Sequence, residues 1–288
     1  MPFIKMQGCG NDYVYIDCVG EAHDIRDKSE LARKISDRHF GVGSDGLIFV
    51  NRSSIADFEM EMYNADGSRG EMCGNGIRCV AKLVRDRDYV TKDSFTIESM
   101  GKIKNITVFR ENGEVTEVSV DMGEPILEPK EIPVDLSARM ENAVNVPIKT
   151  SRMQAEFTGV SMGNPHAVIF MDSVNDHACK VADLPLESIG PEFENHPFFP
   201  ARVNTEFVEV IDRNNVNMRV WERGSGETFA CGTGCCATVV AGVLTGRTES
   251  EIKVNLRGGA LKVSWNQCDR HVYMTGPAKT VFTGQFKI

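Results

Sequence analysis

Two cysteines occur in glycine-flanked settings that repeat along the chain: Cys73 opens C-G-N-G and Cys231 opens C-G-T-G. Glycines at 74, 76, 232 and 234 permit a tight turn and close approach of a ligand to the backbone. Helical patterns begin just beyond each cysteine, over 75–87 and 233–246, so both thiols are expected at helix starts. The first N–H groups of a helix have no intrahelical partner and can hold a carboxylate. The positive helix end also favours thiolate over thiol, and cysteines at such positions can fall from about 8.5 to roughly 3.5–7.5. A base beside an anion cradle, present twice, suits a carbon that is deprotonated on one face and reprotonated on the other. One thiolate takes the proton and one thiol returns one. Both helix starts would stabilise the carbanion formed next to a carboxylate. The scheme requires no cofactor, and nothing in the sequence reads as a pyridoxal or nucleotide site.

The elements that must carry these cysteines also come in duplicate. The two residues are 158 positions apart (231 − 73). F-E-M-E-M-Y-N ends at Asn64 and V-N-M-R-V-W-E ends at Glu222, nine residues before each cysteine and again 158 apart. Their alternating, β-prone character predicts strands. F-T-I-E-S-M-G reaches Gly101 and V-N-L-R-G-G reaches Gly259, with the same offset. G-N-D-Y-V-Y-I-D (10–17) echoes G-N-P-H-A-V-I-F-M-D (163–172), and V-D-M-G-E-P (120–125) echoes V-Y-M-T-G-P (272–277). Four matches in one order imply an internal duplication. The fold class read from this is α+β, with strands outnumbering helices and two homologous lobes over 1–125 and 150–277. A linker over 126–149 is heralded by E-P-I-L-E-P-K-E-I-P (124–133), and a last strand over 278–288 returns to the first lobe. A third helix is predicted over 28–38. The 233–246 segment is apolar nearly all round, as a helix enclosed by sheet should be.

Composition narrows the partners. A chain of 288 residues suggests about two ordinary domains. Its net charge of −9, with no Lys/Arg-rich run, argues against nucleic acid. No stretch approaches the ~18 apolar residues of a membrane span, and the first residues lack an apolar signal core, so the expectation is a cytoplasmic protein without a membrane partner. Nine cysteines is an odd number, which fits a reducing compartment better than a disulfide framework. There is no C-x-x-C, and the six histidines (23, 39, 166, 177, 196, 271) are scattered, so no metal site is expected.

Longer motifs surround the two cysteines. N-A-D-G-S (64–68), C-G-N-G-x-R-C (73–79), G-N-D near the start, S-M-G-N-P-H (161–166) and E-R-G-x-G-E-T-x-A-C-G-T-G (222–234) together resemble the diaminopimelate epimerase family over most of the chain. The resemblance implies a cofactor-independent isomerase that interconverts LL- and meso-diaminopimelate in lysine and peptidoglycan precursor synthesis. It also implies a homodimer of chains with two pseudo-symmetric lobes, each a mixed sheet curled around a central helix. By position it makes Cys73 and Cys231 the proton-transferring pair, with His166 and Glu222 tuning their protonation. Gly74, Asn75, Gly232 and Thr233 would offer helix-start donors to the α-carboxylate, with Asn11 nearby. Asn64, Asn164, Asn204, Glu222 and Arg223 would hold the far amino-acid end of the substrate. Two departures stand out: Gly46 replaces a glutamine that contacts substrate in some relatives, and Thr233 replaces a common serine.

Plainer readings apply elsewhere. Cys9, Cys18, Cys79, Cys179, Cys235, Cys236 and Cys268 are expected to be small buried hydrophobes. G-V-G-S-D-G (41–46) matches a dinucleotide-binding string, but the strand-like L-I-F-V that follows makes it a turn. R-D-R-D (85–88) reads as a solvated helix end. Two rival functions keep the same cysteines. One is a racemase of another amino acid, such as histidine or proline, although proline lacks the distal polar group that the asparagines and Arg223 would hold. The other is a thiol redox protein in which Cys73 and Cys231 form a reversible disulfide.

Overall fold

The computed structural model describes every residue except 22, 24, 71, 137–141, 175–179 and 288. It contains two compact units, Met1–Asp121 with Thr275–Ile288, and Met122–Met274. The elements run β1 (Pro2–Gly8), β2 (Asn11–Asp17), α1 (Lys28–Ser36), β3 (Gly46–Asn51), β4 (Phe58–Asn64), α2 (Gly74–Asp86), β5 (Ser94–Ser99), β6 (Lys102–Glu111) and β7 (Glu114–Gly123). Next come β8 (Val146–Lys149), β9 (Gln154–Ser161), β10 (Pro165–Phe170), α3 (Leu186–Glu194), β11 (Asn204–Asp212), β12 (Asn215–Glu222) and β13 (Gly226–Thr228). The chain closes with α4 (Gly232–Leu244), β14 (Glu251–Leu256), β15 (Gly259–Trp265), β16 (Val272–Pro277) and β17 (Lys279–Gln285).

In the first unit the sheet runs β17-β1-β2-β3-β4-β5-β6-β7, with β2–β3 and β4–β5 parallel and the other pairs antiparallel. Helix α2 packs on β17, β1 and β2 and also on β6, strands from opposite ends of that order, so the sheet curls around it. Every residue from Asn75 to Arg85 is buried. The second unit repeats the plan: β8-β9-β10-β11-β12-β14-β15, with β10–β11 and β12–β14 parallel and the rest antiparallel. Helix α4 packs on β9, β10, β11, β14 and β15. Glycine at 242 inside α4 has a packing reason, since a Cβ there would meet the Thr248 Oγ1 at 2.2 Å.

The duplication extends to register. Ile48 pairs with Met62 on β3–β4, and Glu206 pairs with Val220 on β11–β12, each shifted by 158. Across the parallel pairs, Tyr13 faces Gly46 and His166 faces Asn204. The predicted strand F-E-M-E-M-Y-N alternates buried and half-buried residues through its first five positions, which is why its pattern was readable.

Three expectations need correction. The predicted helices at 75–87 and 233–246 begin one residue earlier and stop sooner, at Asp86 and Leu244, and the helix predicted to reach 38 ends at Ser36. R-D-R-D is not merely solvated: Arg85 is buried against Asp88 and Asp93, and Arg87 pairs with Asp17. Of the seven remaining cysteines, 9, 79, 235 and 236 are buried, but Cys18 is half-buried, Cys268 is exposed, and Cys179 lies outside the described residues.

Candidate active site

Cys73 is the N-cap of α2, its sulfur accepting the Gly76 N–H at 3.2 Å. The thiol in turn reaches the Asn11 Oδ1 at 3.1 Å. Asn11 is oriented from behind by Asp45, whose carboxylate accepts its Nδ2 at 2.7 Å and the Asp12 N–H at 3.0 Å. Arg38 clamps Asp45 and Asp12 together. The G-V-G-S-D-G turn is therefore a brace for Asn11. Arg78 lies wholly buried one turn into α2, bonded to the Gly74 carbonyl and to the Asn75 Oδ1. Burial pushes the Cys73 thiol up; the Gly76 N–H, the Tyr13 hydroxyl, the Asn75 N–H and the Arg78 charge all oppose that rise.

Cys231 is the N-cap of α4 in the same manner, accepting the Gly234 N–H at 3.4 Å. It is 5% exposed, whereas Cys73 is half-buried. Thr233 Oγ1 lies 3.5 Å from the Cys231 sulfur and accepts the Asn164 Nδ2 at 3.3 Å. Asn164 Oδ1 contacts His166 Nε2 at 3.1 Å, and His166 Nδ1 contacts Glu206 Oε1 at 2.7 Å. Burial pushes the Cys231 thiol far up, and the Glu222 and Glu206 carboxylates push it further; the Thr233 hydroxyl and Gly234 N–H oppose them. Burial also holds Glu222 above the usual carboxylate range, although the Thr228 hydroxyl bonds it at 2.5 Å.

The expected lowering of both thiols by their helix starts is not what the structure contains. Both are raised, because the loss of water around a buried sulfur outweighs one or two N–H donors. A contrast between the halves remains. Duplicate positions carry Asn11 and Asn164, Tyr13 and His166, Ile48 and Glu206, Asn64 and Glu222, and Arg78 and Cys236. A cation backs Cys73 and two carboxylates back Cys231.

A ligand atom from each of His166, Glu206 and Cys231 falls within 4.8 Å of the others, a grouping that sequence spacing could not reveal. The His166–Glu206 contact at 2.7 Å is hydrogen-bond spacing. Two tetrahedral zinc ligands sit roughly 3.3 Å apart. The residues present are fitted to each other rather than to an ion.

The family model for diaminopimelate epimerase matches residues 3–128 and 158–281. The chain belongs to the diaminopimelate epimerase family. It is 50% identical to the diaminopimelate epimerase of Methanococcus maripaludis over 288 residues, all of both chains. It is 51% identical to that of Agathobacter rectalis over 293 aligned positions, again all of both chains. Among solved structures it resembles a probable proline racemase from Agrobacterium radiobacter (TM-score 0.68, 14% identity, covering 100% of this chain and 93% of that one). It also resembles a phenazine biosynthesis protein of the PhzF family from Bacillus anthracis (TM-score 0.66, 17% identity, 100% and 99% covered). Identities this low establish the shared two-lobe fold alone.

In this diaminopimelate epimerase family member the remaining site residues divide into two kinds. Asn64 is half-buried at the end of β4, its Nδ2 donating to Ser68 Oγ at 2.9 Å. Arg223 is exposed, with one guanidinium nitrogen on the Ala201 carbonyl at 3.0 Å. Asn204 is different. It is buried, its Nδ2 donating to the Pro165 carbonyl at 2.8 Å and its Oδ1 accepting the Arg223 N–H at 2.9 Å, so its amide ties two site loops together. At Gly46 a Cβ would lie 2.2 Å from the Tyr63 carbonyl oxygen and 2.8 Å from the Tyr13 ring. The space a glutamine would need is filled. Sequence reasoning passed over Tyr13, Asp45, Arg78 and Glu206. The duplication itself held the signal for three of them, since Tyr13, Arg78 and Glu206 each align with a residue of different charge or polarity in the other lobe.

Proposed function

We propose that this protein epimerises diaminopimelate between its LL and meso forms, each cysteine serving one face of the α-carbon. Two cysteines that cap duplicated helices, in a chain half identical over its full length to diaminopimelate epimerases, carry this reading. Cys73, half-buried and backed by Arg78, is the thiol more easily ionised and acts as base once it has lost its proton. Cys231, walled by Glu206 and Glu222, keeps its proton and acts as acid. The roles exchange in the reverse direction, as microscopic reversibility requires. N–H groups of Gly74, Asn75, Gly232 and Thr233, at the first turns of α2 and α4, would hold the α-carboxylate and the negative charge developing beside it. Asn11 would orient Cys73 while touching the substrate. Asn64, Asn164, Glu222 and Arg223 would hold the distal amino and carboxyl groups, with Asn204 placing the loops they sit on. His166 and Glu222 would set the protonation of Cys231. No step requires a cofactor.

The described helices include none long and apolar enough to cross a membrane, which is compatible with a cytoplasmic enzyme. We place the enzyme there as a homodimer. The test is solvent exchange: purified protein in D₂O should wash deuterium into the α-carbon of diaminopimelate. Exchange into proline or histidine instead would reject the substrate assignment, and redox turnover without α-carbon exchange would favour the disulfide alternative.

A further inference from the structure

Glu206 has no counterpart in the first unit. Its duplicate is Ile48, and both side chains occupy the same place against the first turn of their helix. A Cβ on Gly76 would meet Ile48 Cδ1 at 2.9 Å, and one on Gly234 would meet Glu206 Oε1 at 2.5 Å. An apolar side chain fills that place beneath Cys73. Beneath Cys231 the same place holds a carboxylate, wholly buried, with Oε1 on His166 and Oε2 lacking a hydrogen-bond partner among the described residues. Burying a carboxylate with one oxygen unsatisfied is costly, so a simple packing role is better filled by the isoleucine seen at the duplicate position.

The bonds around Glu206 have a direction. Asn164 donates through Nδ2 to Thr233, which leaves its Oδ1 to accept the His166 Nε2–H. The Nδ1 side of the ring then lies against Glu206 Oε1 at 2.7 Å. Because the Thr233 oxygen is already accepting from Asn164, its own hydrogen is available to the Cys231 sulfur. The chain Glu206–His166–Asn164–Thr233–Cys231 is continuous and ends on the reacting atom.

We propose that Glu206 is a positioning residue for the Cys231 half of the reaction: it fixes His166, through Asn164 and Thr233 it aims a hydroxyl donor at the sulfur, and its own carboxylate stands within 4.8 Å of that sulfur. The groups that face Cys231 are Glu206 from β11, Glu222 from β12, His166 from β10 and the start of α4. The inference rests on the proposed use of Cys231 as a proton donor, but its readout needs no diaminopimelate.

The test is the rate of iodoacetamide alkylation at Cys231 and Cys73 separately, followed by peptide mass spectrometry, in full-length wild type, Glu206→Gln and Thr233→Val. Glutamine keeps the shape and a hydrogen bond to His166 but removes the charge. Cys231 alkylation at neutral pH should then rise about fivefold or more, the larger thiolate fraction outweighing the lower reactivity of each thiolate. Cys73 should be unchanged. Thr233→Val removes the donor and should slow Cys231 alkylation severalfold, with Thr233→Ser restoring it. An unchanged Cys231 rate in a folded Glu206→Gln protein overturns the proposal. If that variant does not fold, an unchanged rate in Thr233→Val overturns it. A normal alkylation pattern shift combined with no exchange of diaminopimelate would sink the substrate assignment and leave this inference standing.

Discussion

Alanine at the two duplicate helix glycines distinguishes the settings of the two cysteines. Neither Gly76 nor Gly234 has a positive φ, so alanine suits both backbones and differs only in what its methyl meets. At Gly234 the new Cβ would stand 2.5 Å from Glu206 Oε1 and 3.1 Å from its Cδ and Cγ. Ordinary contact requires a retreat of about 0.9 Å or more, yet Glu206 is wholly buried and held to His166 at 2.7 Å. Overpacking costs about 1–3 kcal/mol, and a loosened charge-assisted bond adds about 1 kcal/mol or more. Helix propensity returns at most about 1 kcal/mol. The net loss for Gly234→Ala is about 1–3 kcal/mol. At Gly76 the obstacles are the Ile48 Cδ1 at 2.9 Å, the far end of a flexible side chain, and the Cys73 Cβ at 3.3 Å, and the net change should fall within about 1 kcal/mol of zero. Urea unfolding followed by circular dichroism gives the two stabilities, and α-carbon exchange gives the two activities. Gly234→Ala should also lose at least about tenfold in kcat, because Glu206 and His166 move with the methyl. Equal effects at the two positions would refute the claim that a carboxylate and an isoleucine occupy equivalent places.

Further outcomes follow from the same geometry. Both thiols titrate above their ordinary value, so little of Cys73 is thiolate at neutral pH. The rate kcat/KM should rise as pH climbs toward the Cys73 titration and fall once Cys231 also ionises; a profile declining from neutral pH upward contradicts this. Asp45→Ala frees the Asn11 amide from its brace and should lower kcat/KM by about 10–100-fold with the fold intact, read by steady-state kinetics and circular dichroism. Asn204→Ala leaves the buried Pro165 carbonyl and Arg223 N–H unpaired, and should cost about 1–3 kcal/mol of stability together with a raised KM. On the proposed role of the exposed Arg223 as a holder of the distal group, Arg223→Met should raise KM for diaminopimelate far more than it lowers kcat.

Much of this arrangement was legible in the residues. Period-two alternation in F-E-M-E-M-Y-N and glycine punctuation after each cysteine fix local structure, and the offset between duplicate segments, 158 around the cysteines and 152–153 nearer the ends of the lobes, carries one lobe's reading to the other. Ionisation was not legible. A helix start argues for a lowered thiol, but the outcome depends on how much water is removed and which charges arrive from distant strands, and Glu206 reaches Cys231 only through the β10–β11–β12 register. Nor were the bonds of Asn204 legible: it reads as a substrate amide in sequence, and only the fold shows its amide also bonded to the Pro165 carbonyl and the Arg223 N–H. Helix α3 had no clear signal, since its proline at 191 and its mixed polarity obscure the period.

The most direct measurement follows the α-hydrogen of LL-diaminopimelate in D₂O with wild type, Cys73→Ser and Cys231→Ser. A two-thiol, base-and-acid scheme predicts a wild-type product whose α-carbon carries solvent deuterium, with each serine variant slower by about 10²–10⁴-fold. A product that retains its original hydrogen, or either variant working within tenfold of wild type, would contradict the account.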